Sequence, residues 1–203
     1  MITIIDYKMG NVGSIVSMLA RLGVEAELTS DPARIAGARK LVLPGVGAFD
    51  DGVRNLAELG ITPVLQELLT TAPVPFLGIC LGMQLLADSS EEGSLNGLGL
   101  IRGRVVRFRP SDPSVKVPHM GWNTVISVRP HYLLQGLDSE ARFYFVHSYH
   151  FTCERVEDAL AQTHYDGTFT SAVSCGPIAG VQFHPEKSLR WGLQVFKAFS
   201  EHV

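Results

Sequence analysis

The chain has little cysteine: Cys80, Cys153 and Cys175 are the 3 in its 203 residues. An odd count without a Cys-x-x-Cys pair signals neither a disulfide framework nor a zinc site, so no metal and no other cofactor is expected. Charge is sparse as well. Charged residues make up 18% of the chain, against about 25% in an average protein. The 17 basic and 20 acidic residues leave a net charge of −3. Basic residues gather once, in Arg102-Gly-Arg104-Val-Val-Arg107-Phe-Arg109, which reads as one solvated strand face. That is too little to neutralise a phosphate backbone, and no nucleic-acid partner is expected. Long apolar runs are missing too: the N-terminal one stops at Asp6, short of the roughly 18 residues a membrane span requires, and no basic segment precedes it. These absences suggest a soluble, cytoplasmic protein with no membrane partner.

Apolar residues are present at an ordinary 46%, enough for a sizeable core, and glycine at 20 residues suggests tight loops. The first half alternates strand and helix patterns. Ile2–Ile5 reads as a buried strand, followed by a helix whose apolar positions Val12, Ile15, Val16, Leu19 and Leu22 run from a cap at Asn11 to Gly23. Strands are expected at 24–28, 41–43 and 75–79, one or two helices over 51–70, and a helix from Cys80 to about Ala87. After Gly97 the pattern becomes mostly short strands, at 99–108, 123–128, 143–151, 159–163, 169–174 and 178–183. A last helix over 188–200 places Leu189, Leu193, Phe196, Ala198 and Phe199 near one face. The expected fold is α/β: an open, mostly parallel, flavodoxin-like sheet flanked by helices, with a β-rich second half, all in a single domain over 1–203.

The sharpest chemical signal is Gly78-Ile79-Cys80-Leu81-Gly82, where a buried strand meets a helix. This pattern copies a nucleophile elbow with Cys in place of Ser: the turn is so sharp that small residues are needed two positions to either side. The helix N-terminus favours the thiolate. A Cys nucleophile needs a base, and Gly180-Val-Gln-Phe-His184-Pro185-Glu186 supplies His184 at a strand end with Glu186 placed to orient it. Acyl transfer also needs oxyanion donors. The Leu81 N–H is one candidate, and the loop Pro44-Gly45-Val46-Gly47 offers the N–H groups of Val46 and Gly47. A different reading keeps the fold but has Cys80 oxidised as a redox sensor; such a sensor has no need of His184-Pro-Glu186.

PGVGAF, GICLGMQLL and GVQFHPE together resemble the class I, triad-type glutamine amidotransferases. IIDYKMGN, VPHMGWN, FYFVHSY and HPEKS sharpen the likeness to one family among them, the glutaminase subunits of imidazole glycerol phosphate synthase. The likeness spans essentially the whole chain. It implies that Cys80 attacks the carboxamide of glutamine, that His184 moves the proton and that Glu186 orients His184. It also implies that Gly45, Gly47, Gln84 and the stretch His147-Ser148-Tyr149 hold the substrate. The ammonia would pass to a (β/α)8-barrel cyclase subunit in a heterodimer, with Asn11, Trp122, Tyr144 and Lys187 at the interface. Lys8 and Arg102 depart from the common pattern, which has Gly and Pro there. The resemblance further implies a nearly silent free subunit, and glycines flanking Val46 suggest a switch: a Gly45–Val46 peptide whose N–H turns toward the substrate only on stimulation.

Overall fold

The computed structural model describes residues 1–138 and 140–202. The strands are β1 (Ile2–Ile5), β2 (Ala26–Thr29), β3 (Leu41–Leu43), β4 (Phe76–Ile79), β5 (Ser89–Ser90), β6 (Gly103–Arg107), β7 (His119–Thr124), β8 (Ile126–Ser127), β9 (Arg142–His147), β10 (Tyr149–Cys153), β11 (Ala159–His164), β12 (Thr168–Cys175) and β13 (Ile178–Val181). The helices are α1 (Val12–Arg21), α2 (Pro32–Ala36), α3 (Phe49–Glu58), α4 (Ile61–Thr71), α5 (Leu81–Gln84) and α6 (Leu189–Glu201). One sheet, 11-stranded among the described residues, runs in the order β2-β1-β3-β4-β13-β12-β10-β6-β5, with β11 and β8 branching from β12. It is parallel from β2 to β13 and turns antiparallel at β12. Strands β7 and β9 form a separate antiparallel pair.

Alternation along the parallel strands divides the core between two faces. Ile2 and Ile4 of β1 join Ile15 and Leu19 of α1 and Val195, Phe196 and Phe199 of α6 on one side. Ile5 and Tyr7 join Ile35, Phe49, Leu56, Ile61, Leu65 and Leu81 from α2 to α5 on the other. The β3–β4–β13 register matters most for the site. Leu43 pairs with Gly78 and Val181 with Ile79, so the segments after these three strands leave the same edge side by side.

Several expectations need correction. Helix α2 was not foreseen; its five residues carry too little periodicity, although Asp31 caps it and Pro32 starts it. The segment 51–70 agrees with the expectation of one or two helices: it is two, divided by Gly60 in the left-handed region at φ 68°. Helix α5 is a single turn and does not reach Ala87 as a helix. The apolar run 143–151 breaks at Ser148 into β9 and β10. Leu189 is 68% exposed rather than on the buried face of the last helix, which is formed by Gly192, Val195, Phe196 and Phe199. Their i, i+3, i+4, i+7 spacing, counted from where the helix begins, fixes that face. Arg104 and Arg107 of β6 have opposite parity and share no strand face, while Arg102 and Arg109 pair with Asp88 and Glu91.

Candidate active site

Cys80 sits between β4 and α5 at φ 54° and ψ −108°, a conformation non-glycine residues rarely adopt. Its glycine neighbours are required by close approach. A Cβ on Gly82 would collide with the Leu43 carbonyl, and one on Gly78 would meet the Gly82 carbonyl at 2.6 Å. The turn holds because the Cys80 N–H donates to the Val181 carbonyl (2.8 Å) and the Cys80 carbonyl accepts from Met83 and Gln84 (3.0 and 3.1 Å). With only one helical turn behind it, the helix dipole contributes less to thiolate formation than the sequence suggests.

His184 lies just beyond β13 and is 1% exposed. Its backbone is bridged to β9, the His184 N–H donating to the Tyr144 carbonyl at 2.9 Å. Ser188 completes the brace: its hydroxyl donates to the His184 carbonyl (2.6 Å) and accepts from the Tyr144 N–H (3.0 Å). Nδ1 of the ring lies 2.7 Å from Glu186 Oε1. Nε2, the nitrogen left for Cys80, is buried and makes no hydrogen bond of ordinary geometry, and neither does Glu186 Oε2. Burial by itself favours neutral imidazole, but Cys80 and Glu186 outweigh it and push the His184 pKa up to about 10. Cys80, His184 and Glu186 are therefore gathered at one strand edge, with His184 placed to carry a positive charge beside Cys80.

The 44–47 loop leaves β3 on that edge. The Gly45 carbonyl accepts from the Leu81 N–H at 3.3 Å. Because C=O and N–H point oppositely across a trans peptide, the Val46 N–H is turned away from Leu81. In this conformation one candidate oxyanion donor is occupied and a second faces elsewhere. Gly47 is exposed at φ 131° against the Met9 side chain. Gln84 is 5% exposed and donates through Nε2 both to the Tyr149 carbonyl (3.0 Å) and to Gln182 Oε1 (3.0 Å). His147 also points Nδ1 at the Tyr149 carbonyl, at 2.7 Å, and the Ser148 carbonyl accepts from Phe108 (3.0 Å). Thus the side chains of Gln84 and His147 meet at one carbonyl, and His147 itself is buried away from solvent.

Trp122, Tyr144 and Lys187 gather beside His184. The Trp122 and Tyr144 rings are 6.2 Å apart, and Lys187 Nζ stands 5.5 Å from the Tyr144 ring centre. Trp122 is 44% exposed, with exposed Met120 and Leu189 nearby in sequence to these residues. Asn11 caps α1 by accepting from the Ser14 N–H, and α1 packs against the turn holding Glu186 and Lys187. Among the described residues, no group of three or more His, Cys, Asp or Glu side chains is arranged for a metal ion.

The sequence profile of the family described as glutamine amidotransferase class-I matches residues 3–201. The chain belongs to that family. As a class I amidotransferase it is 51% identical to imidazole glycerol phosphate synthase subunit HisH 2 of Methanococcus maripaludis, covering 98% of each chain. It is 46% identical to imidazole glycerol phosphate synthase subunit HisH of Sulfurimonas denitrificans, covering 100% of this chain and 98% of the relative. Solved structures share the amidotransferase fold: a glutamine amidotransferase with TM-score 0.75 at 20% identity covers 98% of this chain and 96% of that one. The glutaminase domain of Trypanosoma brucei CTPS aligns with TM-score 0.67 at 16% identity, covering 100% and 94%.

Two residues beside the amidotransferase thiol were missed in the sequence. Gln182, completely buried, directs Nε2 at Cys80 Sγ from 3.6 Å. A signal existed: period-2 alternation puts residues 180, 182 and 184 on one strand face. Tyr7, also completely buried, has an unpartnered hydroxyl against Gly45. Burial first, then the neighbouring Cys80, holds its pKa far above the usual phenol range.

Proposed function

We propose that this amidotransferase is the glutaminase subunit of an imidazole glycerol phosphate synthase, acting in histidine biosynthesis. The observation that carries the reading is full-length identity of 51% and 46% to two proteins of that name. Cys80 attacks the side-chain carboxamide of glutamine, and His184 delivers the proton with which ammonia departs, leaving a thioester. His184 then takes a proton from water as it attacks the thioester, releasing glutamate and regenerating the thiolate beside protonated His184. Glu186 fixes the ring so that Nε2 serves Cys80. Because both Gln84 N–H groups are used within the protein, its Oε1 is the atom left to accept from the substrate ammonium. Leu81 and Val46 supply the oxyanion donors once the Gly45–Val46 peptide turns. Gly45, Gly47 and the backbone of His147–Tyr149 bound the substrate.

Ammonia goes to a (β/α)8-barrel cyclase subunit seated on the face formed by Asn11, Trp122, Tyr144 and Lys187. The test is glutamate formation by the chain mixed with such a cyclase, with and without the cyclase's nucleotide ligand. Activity is expected in the complex, to vanish in Cys80→Ser and to survive in Cys153→Ser and Cys175→Ser. Loss of activity on changing Cys175 with Cys80→Ser still active would overturn the assignment.

A further inference from the structure

The amide of Gln182 has one possible orientation. The Tyr149 carbonyl can only accept, so the Gln84 group 3.0 Å from it must be its NH2, and that same nitrogen reaches Gln182. Gln182 must therefore present its oxygen to Gln84, which leaves its own NH2 aimed at the Cys80 sulfur, 3.6 Å away. The Val181–Ile79 register guarantees the proximity, because it sets residue 182 beside residue 80 across the β4–β13 pair. Cys80 is buried, which leaves its sulfur little access to bulk water, and the Leu81 N–H is given to Gly45.

We propose that Gln182 is a further catalytic residue, donating through Nε2 to the Cys80 thiolate in the resting site, with its orientation imposed by the Tyr149 carbonyl through Gln84. This rests on the glutaminase reading. The other titratable groups facing the sulfur are His184, backed by Glu186 from the turn after β13, and Tyr7 from the segment after β1, with His147 close behind His184. None of these is altered when Gln182 is changed.

The experiment replaces Gln182 with the similarly sized non-donor methionine, in the isolated chain and in the complex. Alkylation by iodoacetamide is followed at the Cys80 peptide by mass spectrometry across pH. Loss of a donor to a charged acceptor is expected to raise the pH at which alkylation switches on by about one to two units. Glutamine turnover in the complex at neutral pH should fall on the order of tenfold. A folded Gln182→Met chain with an unshifted profile overturns the proposal. A measurement on the unaltered chain guards against misfolding: alkylating Cys80 should move the Gln182 side-chain amide resonance, and a resonance that stays in place also overturns it. If the unaltered complex makes no glutamate, the functional reading fails and the catalytic role with it; if it makes glutamate while Gln182→Met keeps the unaltered profile, the role of Gln182 alone fails.

Discussion

His119→Asn should flatten the acid dependence of stability by one proton. His119 lies between the Tyr165 and Phe145 rings, at 4.0 and 4.8 Å, with Nδ1 3.0 Å from His147 Nε2 and Nε2 3.2 Å from Asn123. His147 has Nδ1 on the Tyr149 carbonyl, which cannot donate, so its Nε2 must accept from His119. Both rings are then neutral donors and acceptors, and a proton added to either leaves two N–H groups opposed. Burial accordingly pushes the pKa of His119 down to about 4 and that of His147 down to about 3. In the unfolded chain both titrate near 6.5. Between pH 6.5 and about 4 the unfolded state thus binds more protons, and the stability these rings provide above pH 6.5 is lost as pH falls. Each ring contributes about 1.4 kcal/mol per pH unit, so the pair costs about 4 kcal/mol by pH 5, within a total that is usually 5–15 kcal/mol. His184, held protonated in the folded chain, adds little slope below about pH 6, where the unfolded imidazole is protonated as well. Asparagine at 119 retains a donor toward His147 but does not titrate. Urea unfolding at stepped pH from 7 to 5 should give a slope smaller by about 1.4 kcal/mol per unit in His119→Asn. Equal slopes in the two proteins, or a flat profile in the unaltered one, would refute the assignment of neutral, linked rings.

His184→Ala should lower glutamine turnover in the complex by about 10²–10⁴-fold, whereas Glu186→Gln, which keeps an acceptor at Nδ1, should cost less. Equal damage to the chemical step would make Glu186 a direct participant. The Gly45–Val46 peptide, now directing its carbonyl at Leu81, should turn its N–H toward bound glutamine when the complex is stimulated; an absent donor costs about 2.7–4 kcal/mol, or 10²–10³ in rate. A structure of the glutamine-bound, unstimulated complex with that N–H already facing the substrate oxygen would exclude the switch.

The elbow and the His-Pro-Glu turn were readable because each has a local steric or chemical demand written into a few adjacent residues. Gly78 and Gly82 flank Cys80 since any Cβ there meets backbone. Gln182 and Tyr7 carry no such signature: their importance depends on which strands are neighbours, and the β3–β4–β13 order is a long-range property. The same reason explains the extent of α5. Apolar residues continue helical spacing past Gln84, yet the chain leaves the helix because the carbonyls of Leu85, Leu86, Ala87 and Asp88 serve the 97–101 segment. Leu189 misled because hydrophobicity alone does not say where a helix begins.

The two-stranded pairing of β7 with β9 has a consequence for how rigidly the base is held. A ribbon of two strands is marginal unless something else secures it. Here it is secured by the fully buried Phe143 and Phe145 side chains of β9, by the His119–His147 hydrogen bond at one end and, midway along β9, by the Tyr144–His184 bridge with its Ser188 brace. His184 is therefore not moored solely to the central parallel sheet. Its backbone N–H is bonded to Tyr144 of β9, whereas the Cys80 N–H is bonded to Val181 of the central sheet. Cys80 and His184 are thus anchored by different strand pairs, and their alignment depends on both pairs holding their register.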